Sequence, residues 1–570
     1  MCGIAGFYGF GKSPDAEALN QITDALSHRG PDGRGIWQEG PVGLGHRRLA
    51  ILDLSPAGAC PMVCRGPDGR ECVITYNGEV YNFLELRREL EKEGYLFHSE
   101  TDTEVVGAAY LRWGKECLLR FNGMWALAIW ESKERRLFLA RDRFGIKPLH
   151  YLWHRDIFYF ASELKAFCAL PEFRRKLNRG YAAEALRKSQ PLEGTSEETM
   201  MEGVKKLLPG HRMEIDREGR WKKEKWWETR DHLASPPANL EKQVAAWREL
   251  FLDAVRLRLR SDVPVATSLS GGLDSSAVAA GMHLLEKENP GGLTRAPRDW
   301  RRSFCSVFPG TALDETAYAE ETARATGSPC RLTVFANPPS GRQIKESVWT
   351  MEDVSPALAV PVVENYRAMR SQGVWVSLDG HGADEMLGGY GWYLAEPMQS
   401  LNDRLYLEFH QTLLPSILRN FDRCSMASGV EVRMPFMDWR LVCLSFALPA
   451  ELKIGRGYTK WILREAMNGI LPERIRLRRS KIGFNSPMVD WFNRGLGGLA
   501  RQVIESPAWR SCRLFPARKI GEEILAAERG KTLGSADWEK TLYWWTCLNL
   551  VLWENMFLDS SIKQPANPPR

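Results

Sequence analysis

The sequence predicts two domains of different class, an α+β layered domain followed by an α/β domain on a parallel sheet. Two observations predict it. From Ile4 to about Gly210, short apolar or alternating runs bounded by turn residues dominate, with helical stretches inserted among them. From about Val244 the texture changes to regular alternation of helix and strand, which implies a parallel sheet covered by helices on both faces. At about 100–200 residues per domain, 570 residues leave each half room for its own core.

In the first half, strands are expected over Ile4–Tyr8, Gly43–Leu52, Cys72–Tyr76, Met124–Trp130, Leu137–Ala140 and Ile157–Ser162. Phe83–Glu93 reads as an amphipathic helix stopped by Gly94, and Thr103–Trp113 as one stopped by Gly114, because glycine readily takes the left-handed cap conformation. Glu214–Leu240 is dense in charge, Trp and Pro and reads as the connection between domains. In the second half, Val263–Leu269, Ser303–Phe308, Arg331–Phe335 and Val374–Leu378 read as strands. Asp274–Lys287, Asp314–Thr326 and Val362–Ser371 read as helices. The domains are expected over 2–212 and 241–558. Ligands of such parallel sheets bind beyond the carboxyl ends of the strands.

Composition narrows the function. Hydrophobic residues make up 44% and charged residues 26%, ordinary for a globular protein. A net charge of +6, with both signs mixed, gives no argument for nucleic acid. The densest basic run, Arg474–Lys481, reads as a solvated helix end and loop. The apolar segment Leu542–Trp553 is shorter than the roughly 20 residues a membrane span needs, and Asn549 interrupts it, so a Trp-rich core helix is expected. No basic and then apolar leader opens the chain. The twelve scattered cysteines read as reduced, which points to the cytoplasm. Cys60, Cys64 and Cys72 lie close together without a second ligand pair, so zinc is not expected there. The Pro-rich tail Ser560–Arg570 is expected to be loose.

The chemistry begins at Met1-Cys2-Gly3-Ile4. With Met1 removed, Cys2 carries a thiol and an α-amine, with unperturbed pKa values of about 8.5 and roughly 7.7–8.0, so the amine can take the thiol proton near neutral pH. Alone, the run reads more readily as a start codon before a buried cysteine. His28-Arg29-Gly30-Pro31-Asp32, His46-Arg47-Arg48-Leu49, Tyr76-Asn77-Gly78-Glu79-Val80-Tyr81-Asn82 and Thr101-Asp102-Thr103-Glu104 then follow. A glutamine-cleaving site needs a cation for the substrate carboxylate, a carboxylate for its amine and donors for the oxyanion. Arg48, Asp102, and Asn77 with the Gly78 N–H can supply these, and Gly78 permits close backbone approach.

Together these runs, with Arg141-Asp142-Arg143-Phe144-Gly145 and Lys147-Pro148-Leu149, resemble the N-terminal-nucleophile glutaminase domain of the class II glutamine amidotransferases. The resemblance covers Cys2 to about Gly210. It implies an αββα fold, a γ-glutamyl thioester on Cys2, and glutamine held by Arg48, Asn77, Gly78, Glu79 and Asp102.

A glycine-rich turn, Ser270-Gly271-Gly272-Leu273-Asp274-Ser275-Ser276, lies between a strand and a helix. Successive amides there can curl around an anion, and the helix N-terminus adds a favourable dipole. No Gly-Lys-Ser/Thr follows, so it is not a Walker A loop. Leu378-Asp379-Gly380-His381-Gly382-Ala383-Asp384-Glu385 sits at a second strand end. Asp274 and Asp384 suit Mg²⁺ as a small set of hard oxygen ligands, although Asp384 reads equally as a helix cap. With Lys460 in Tyr458-Thr459-Lys460-Trp461, these runs resemble the synthetase domain of the asparagine synthetases, from about Val244 to Phe557.

That second resemblance implies an ATP-pyrophosphatase domain of the adenine nucleotide α-hydrolase-like fold. ATP would lie on Leu269, Ser270, Gly271, Gly272, Asp274, Ser275, Ser306, Val307, Asp379 and Gly380, with Mg²⁺ on Asp274 and Asp384 and with Lys460 catalytic. The expected reaction adenylates a carboxylate, aspartate by default, and aminates it with ammonia from glutamine. The chain departs from the best-understood members at Asp379 and His381, where they carry Ser and a catalytic Glu. His381 can relay protons in place of that Glu or change the acceptor to a sugar, peptide or secondary-metabolite carboxylate. A tRNA-modifying enzyme and a glutaminase-only remnant fit less well, since no RNA-binding module is evident and the second site's residues are all present. No nucleic acid or membrane partner is expected; a homodimer is an expectation that the sequence does not decide.

Overall fold

The computed structural model describes residues 2–11, 16–170, 173–289, 291–297, 302–483, 486–530 and 533–559; the tail beginning at Ser560 lies outside them. The front domain stacks two six-stranded antiparallel sheets. One runs, edge to edge, Val204–Lys206, His150–His154, Ile157–Ala161, Gly3–Gly9, Val42–Arg48, Gly33–Glu39. The other runs Trp221–Lys225, His211–Ile215, Arg136–Arg141, Gly123–Glu131, Glu71–Val80, Met62–Arg65. Alternate side chains of both sheets, among them Ile4, Leu44, Phe158, Val73, Ala126 and Leu139, interdigitate in a dry core between them. The helix Ala16–Asp24 packs on the strands Gly3–Gly9 and Val42–Arg48, and Asp102–Trp113 packs on Glu71–Val80, which completes four layers.

Three differences from the sequence reading have a clear physical reason. The strand expected to stop at Tyr76 continues to Val80, because its register with Gly123–Glu131 carries the Asn77-Gly78 pair into the ladder. The strand expected to reach Leu52 ends at Arg48, where the chain turns so that the Arg48 guanidinium can bind loop carbonyls. Trp221–Lys225, read as connection, is the solvent-facing edge strand of the second sheet, paired with His211–Ile215. Its charges belong to the open face of an antiparallel edge, a common way to blunt one.

The back domain carries a five-stranded parallel sheet in the order Cys330–Val334, Ser303–Val307, Val265–Ser268, Val376–Leu378, Glu431–Arg433. The last strand has only three residues and was not expected. Helices cover the sheet, including Leu273–Glu288 directly after the glycine-rich turn. The Trp-rich segment forms the helix Trp538–Phe557, which buries Trp544, Trp545 and Trp553; each buried ring stabilises the fold by about 3 kcal/mol. No described helix is long and apolar enough to cross a membrane.

The halves join across buried charge. Arg29 donates to Glu163 of the front domain at 2.5 Å and to both oxygens of Asp422 of the back domain at 2.9 and 3.1 Å. Arg423 reaches Glu352 at 2.9 Å, and Lys165 reaches Glu163 at 2.7 Å. All six side chains are at most 5% exposed, so their partners must come from one another.

Candidate active sites

Cys2 directly precedes the first strand of the front domain, Gly3–Gly9. Its main-chain nitrogen donates to Asn77 Oδ1 at 3.1 Å, and its carbonyl accepts from Arg29 Nε at 3.0 Å. Burial pushes the Cys2 thiol above its ordinary value, so a neighbouring base is needed to make the thiolate. Asn77 is fully buried, and its Nδ2 has no partner. An orphaned amide beside the nucleophile is suited to receive an oxyanion. Gly78 is required for a reason besides substrate approach, since a Cβ there would stand 2.2 Å from the Met124 carbonyl oxygen of the neighbouring strand.

Arg48, Gly78, Glu79 and Asp102 line one pocket with Cys2. The Arg48 guanidinium donates to the carbonyls of Ser55, Leu52 and Asp53. Asp102, in the first turn of its helix, accepts from Tyr76 Oη at 3.0 Å and Val80 N at 2.8 Å, yet burial holds its carboxyl up at about 6. Glu79 is pushed well above the carboxylate range by burial and by the charge of Asp102. The same pocket contains Glu431, from the short strand of the back domain. Arg433, two residues on, reaches Glu431 at 2.6 Å and Glu79 at 3.3 Å.

The second site lies at the carboxyl ends of Val265–Ser268 and Val376–Leu378. Leu269 is buried and ties back to the sheet through Phe304 O. Ser270 N donates to Ser275 Oγ at 3.2 Å and Gly272 N to Ser270 Oγ at 3.3 Å, which curls the turn onto the helix start. Gly271 has φ +72°, and a Cβ there would lie 2.6 Å from Ala319 N, so only glycine fits. Gly380 packs directly against Asp274 and Ser275, joining the two loops. Lys460 Nζ stands 2.5 Å from Asp274 Oδ2 and 2.6 Å from Asp384 Oδ1. Lys481 adds a second cation, 2.8 Å from Asp384 Oδ2. Although burial opposes it, the two lysines hold Asp384 far below the carboxylate range. Lys481 corrects the reading of Arg474–Lys481 as a solvated run: Arg478 is buried against Glu315, and Lys481 faces the phosphate loop.

Asp379 is held by its neighbours in the fold. It accepts from Ser377 Oγ at 2.5 Å and Tyr366 Oη at 2.6 Å, and its own amide donates to Arg433 O. His381 Nε2 lies 3.5 Å from Asp379 Oδ2, and its ring sits 3.7 Å from that of Phe421. Ser306 and Val307 end the neighbouring strand, with Ser306 Oγ donating to Pro361 O. Asp274 and Asp384 would suit Mg²⁺ as hard oxygen ligands: the buried Asp274 Oδ1 has no hydrogen-bond partner, and the remaining carboxylate oxygens face Lys460 and Lys481. Among the described residues no group of three or more His, Cys, Asp or Glu could hold a metal, which includes Cys60, Cys64 and Cys72.

Sequence reasoning missed Glu431 and Arg433 and gave no role to Lys481. Arg29 and Lys481 stood within runs already singled out. Glu431 and Arg433 carried no local signal, since three residues are too few to show a period.

Residues 1–227 match a model for the glutamine amidotransferase domain, and residues 246–404 and 396–555 match one for asparagine synthase. Asparagine synthetase (glutamine-hydrolyzing) 3 of Bacillus subtilis is 33% identical over 84% of this chain and 86% of its own. Asparagine synthetase (glutamine-hydrolyzing) 1 of the same organism is 29% identical over 89% and 90%. Amidase chry2 of Gibberella zeae is 32% identical over 70% of this chain and 60% of its own. A buried N-terminal thiol pocket ahead of a glycine-rich nucleotide loop defines a glutamine amidotransferase joined to a carbon–nitrogen ligase. The chain belongs to the asparagine synthase family.

Proposed function

We propose that the chain makes asparagine from aspartate, taking nitrogen from glutamine and energy from ATP. In the front pocket, the Cys2 α-amine, freed by loss of Met1, takes the thiol proton, and the thiolate attacks the glutamine amide. Asn77 Nδ2 and the Gly78 amide receive the oxyanion, ammonia leaves, and water releases glutamate from the thioester. In the back pocket, the Ser270–Ser275 turn and Lys460 hold the ATP phosphates while the aspartate side-chain carboxylate attacks the α-phosphate. Pyrophosphate leaves, and ammonia displaces AMP from the acyl-adenylate. Mg²⁺ on Asp274 and Asp384 would neutralise phosphate charge. His381, beside Asp379, is placed to accept the proton that the ammonia adduct must shed.

The observation that carries this reading is Lys460 Nζ seated between Asp274 and Asp384 at the mouth of the phosphate loop. A low-dielectric cradle of this kind, with cations already in place, opposes the charge that develops on pyrophosphate. The test is glutamine-dependent pyrophosphate release across a panel of carboxylates. Aspartate is expected to give one pyrophosphate per asparagine; release with another acid but never with aspartate would overturn the acceptor. The twelve free cysteines suit a reducing cytoplasm. A homodimer is tested by sedimentation of the purified protein.

A further inference from the structure

We infer that Glu431, supplied by the synthetase domain, is a binding residue for the α-ammonium group of glutamine in the Cys2 pocket. The inference rests on the reading of that pocket as the glutamine site and adds a residue from the other half of the chain.

Three carboxylates, Glu79, Asp102 and Glu431, line the pocket with Cys2. They cannot all carry full charge so close together in a low-dielectric site. Geometry separates them. Asp102 already accepts from Tyr76 Oη and Val80 N. Glu79 shares Arg433 with Glu431, but at 3.3 Å against 2.6 Å. The directions of titration agree: burial drives Glu79 and Asp102 upward, whereas around Glu431 the chain's N-terminal ammonium first, then Arg433 and Lys147, outweigh burial and hold it below its ordinary value. Glu431, paired with the buried Arg433 guanidinium at 2.6 Å, is thus the carboxylate best held in its charged form, and an ammonium is the substrate group that such a carboxylate meets.

Arg433 fixes the position. Its Nη1 donates to the carbonyls of Arg258 and Arg260, and its Nε to Glu431. The strand that carries both residues pairs with Val376–Leu378, and Arg433 O receives the Asp379 amide. One three-residue strand therefore touches the glutamine pocket with its side chains and the nucleotide loop with its backbone.

The test compares full-length wild type with Glu431→Gln on two substrates, glutamine and 4-carbamoylbutanoate, which lacks the α-amine. The variant should lose about 10- to 100-fold in kcat/KM on glutamine, the range of one charge-assisted hydrogen bond, mostly through KM. On the amine-free analogue it should lose little, so that selectivity between the two collapses. Equal losses on both, or no loss on glutamine, would overturn the inference. Ammonia-dependent asparagine formation reports whether the variant is folded. If it is lost, Glu431→Asp takes its place, with a loss confined to glutamine expected and an equal loss on both substrates contradicting the assignment. Wild type that hydrolyses neither substrate would refute the glutaminase reading instead.

Discussion

Replacing Arg29 by alanine removes four hydrogen bonds at once: one to Cys2 O, one to Glu163 and two to Asp422. Arg29 is fully buried, so its loss leaves two buried carboxylates short of their main donor. Breaking a buried ion pair by deleting one partner costs about 3–5 kcal/mol. The lower end applies, because Glu163 keeps Lys165 at 2.7 Å and Asp422 keeps Arg423 at 3.1 Å. A destabilisation of about 3 kcal/mol is therefore expected, together with a Cys2 segment that has lost its carbonyl donor. The assay pairs thermal unfolding with the ratio of glutamate to asparagine formed. Wild type should hold that ratio near one. Arg29→Ala should melt several degrees lower and make excess glutamate, while ammonia-dependent synthesis survives at lower temperature. An unchanged melting temperature with a ratio still near one would show that the buried pair neither supports the fold nor aligns the two sites.

Cys2→Ala should abolish glutamine-dependent synthesis and spare the ammonia-dependent reaction, measured as asparagine formed from either donor; loss of both in a folded variant contradicts separate sites. Asp274→Asn should lower ATP-dependent amide formation by more than about 100-fold, as loss of charge stabilisation at a reacting centre does, and leave glutaminase activity intact. Lys481→Met should raise KM for ATP and slow pyrophosphate release, whereas a merely solvated lysine would change neither. In acid, Glu163 and Asp422 have a defined sign. Burial opposes their ionisation, but their cationic neighbours outweigh it and hold both below ordinary carboxylate values. Their stabilisation is full above the unfolded carboxylate range near pH 4 and is lost as pH falls below it. Wild type should therefore lose melting temperature steeply below about pH 4, and Asp422→Asn should show a shallower slope.

Legibility in the sequence followed the length scale of the signal. Long periodic elements such as Met124–Trp130 and Asp274–Lys287 were plain, because many side chains report one face. The glycine-rich turn was plain because φ +72° at Gly271 and its contact with Ala319 admit no other residue. At Asp379 the sequence shows a glycine-rich loop but not the tie that holds the side chain, where Ser377 and Tyr366 donate to its two oxygens. Trp221–Lys225 hid as linker because an edge strand with an open face can be charged. Glu431 and Arg433 were silent, since Arg433 meets Glu79 across 354 positions of chain and Glu431 joins Glu79 only in lining the pocket, which no local pattern records.

The central claim is that nitrogen freed at Cys2 is consumed at the Lys460 site of the same molecule without mixing with solvent. Amide-labelled ¹⁵N-glutamine, turned over with ATP and aspartate in excess unlabelled ammonium at a pH that limits free ammonia, measures this directly by mass spectrometry of the product. The account predicts asparagine that carries the label nearly undiluted. Asparagine whose label falls to that of the bulk ammonium pool would contradict it.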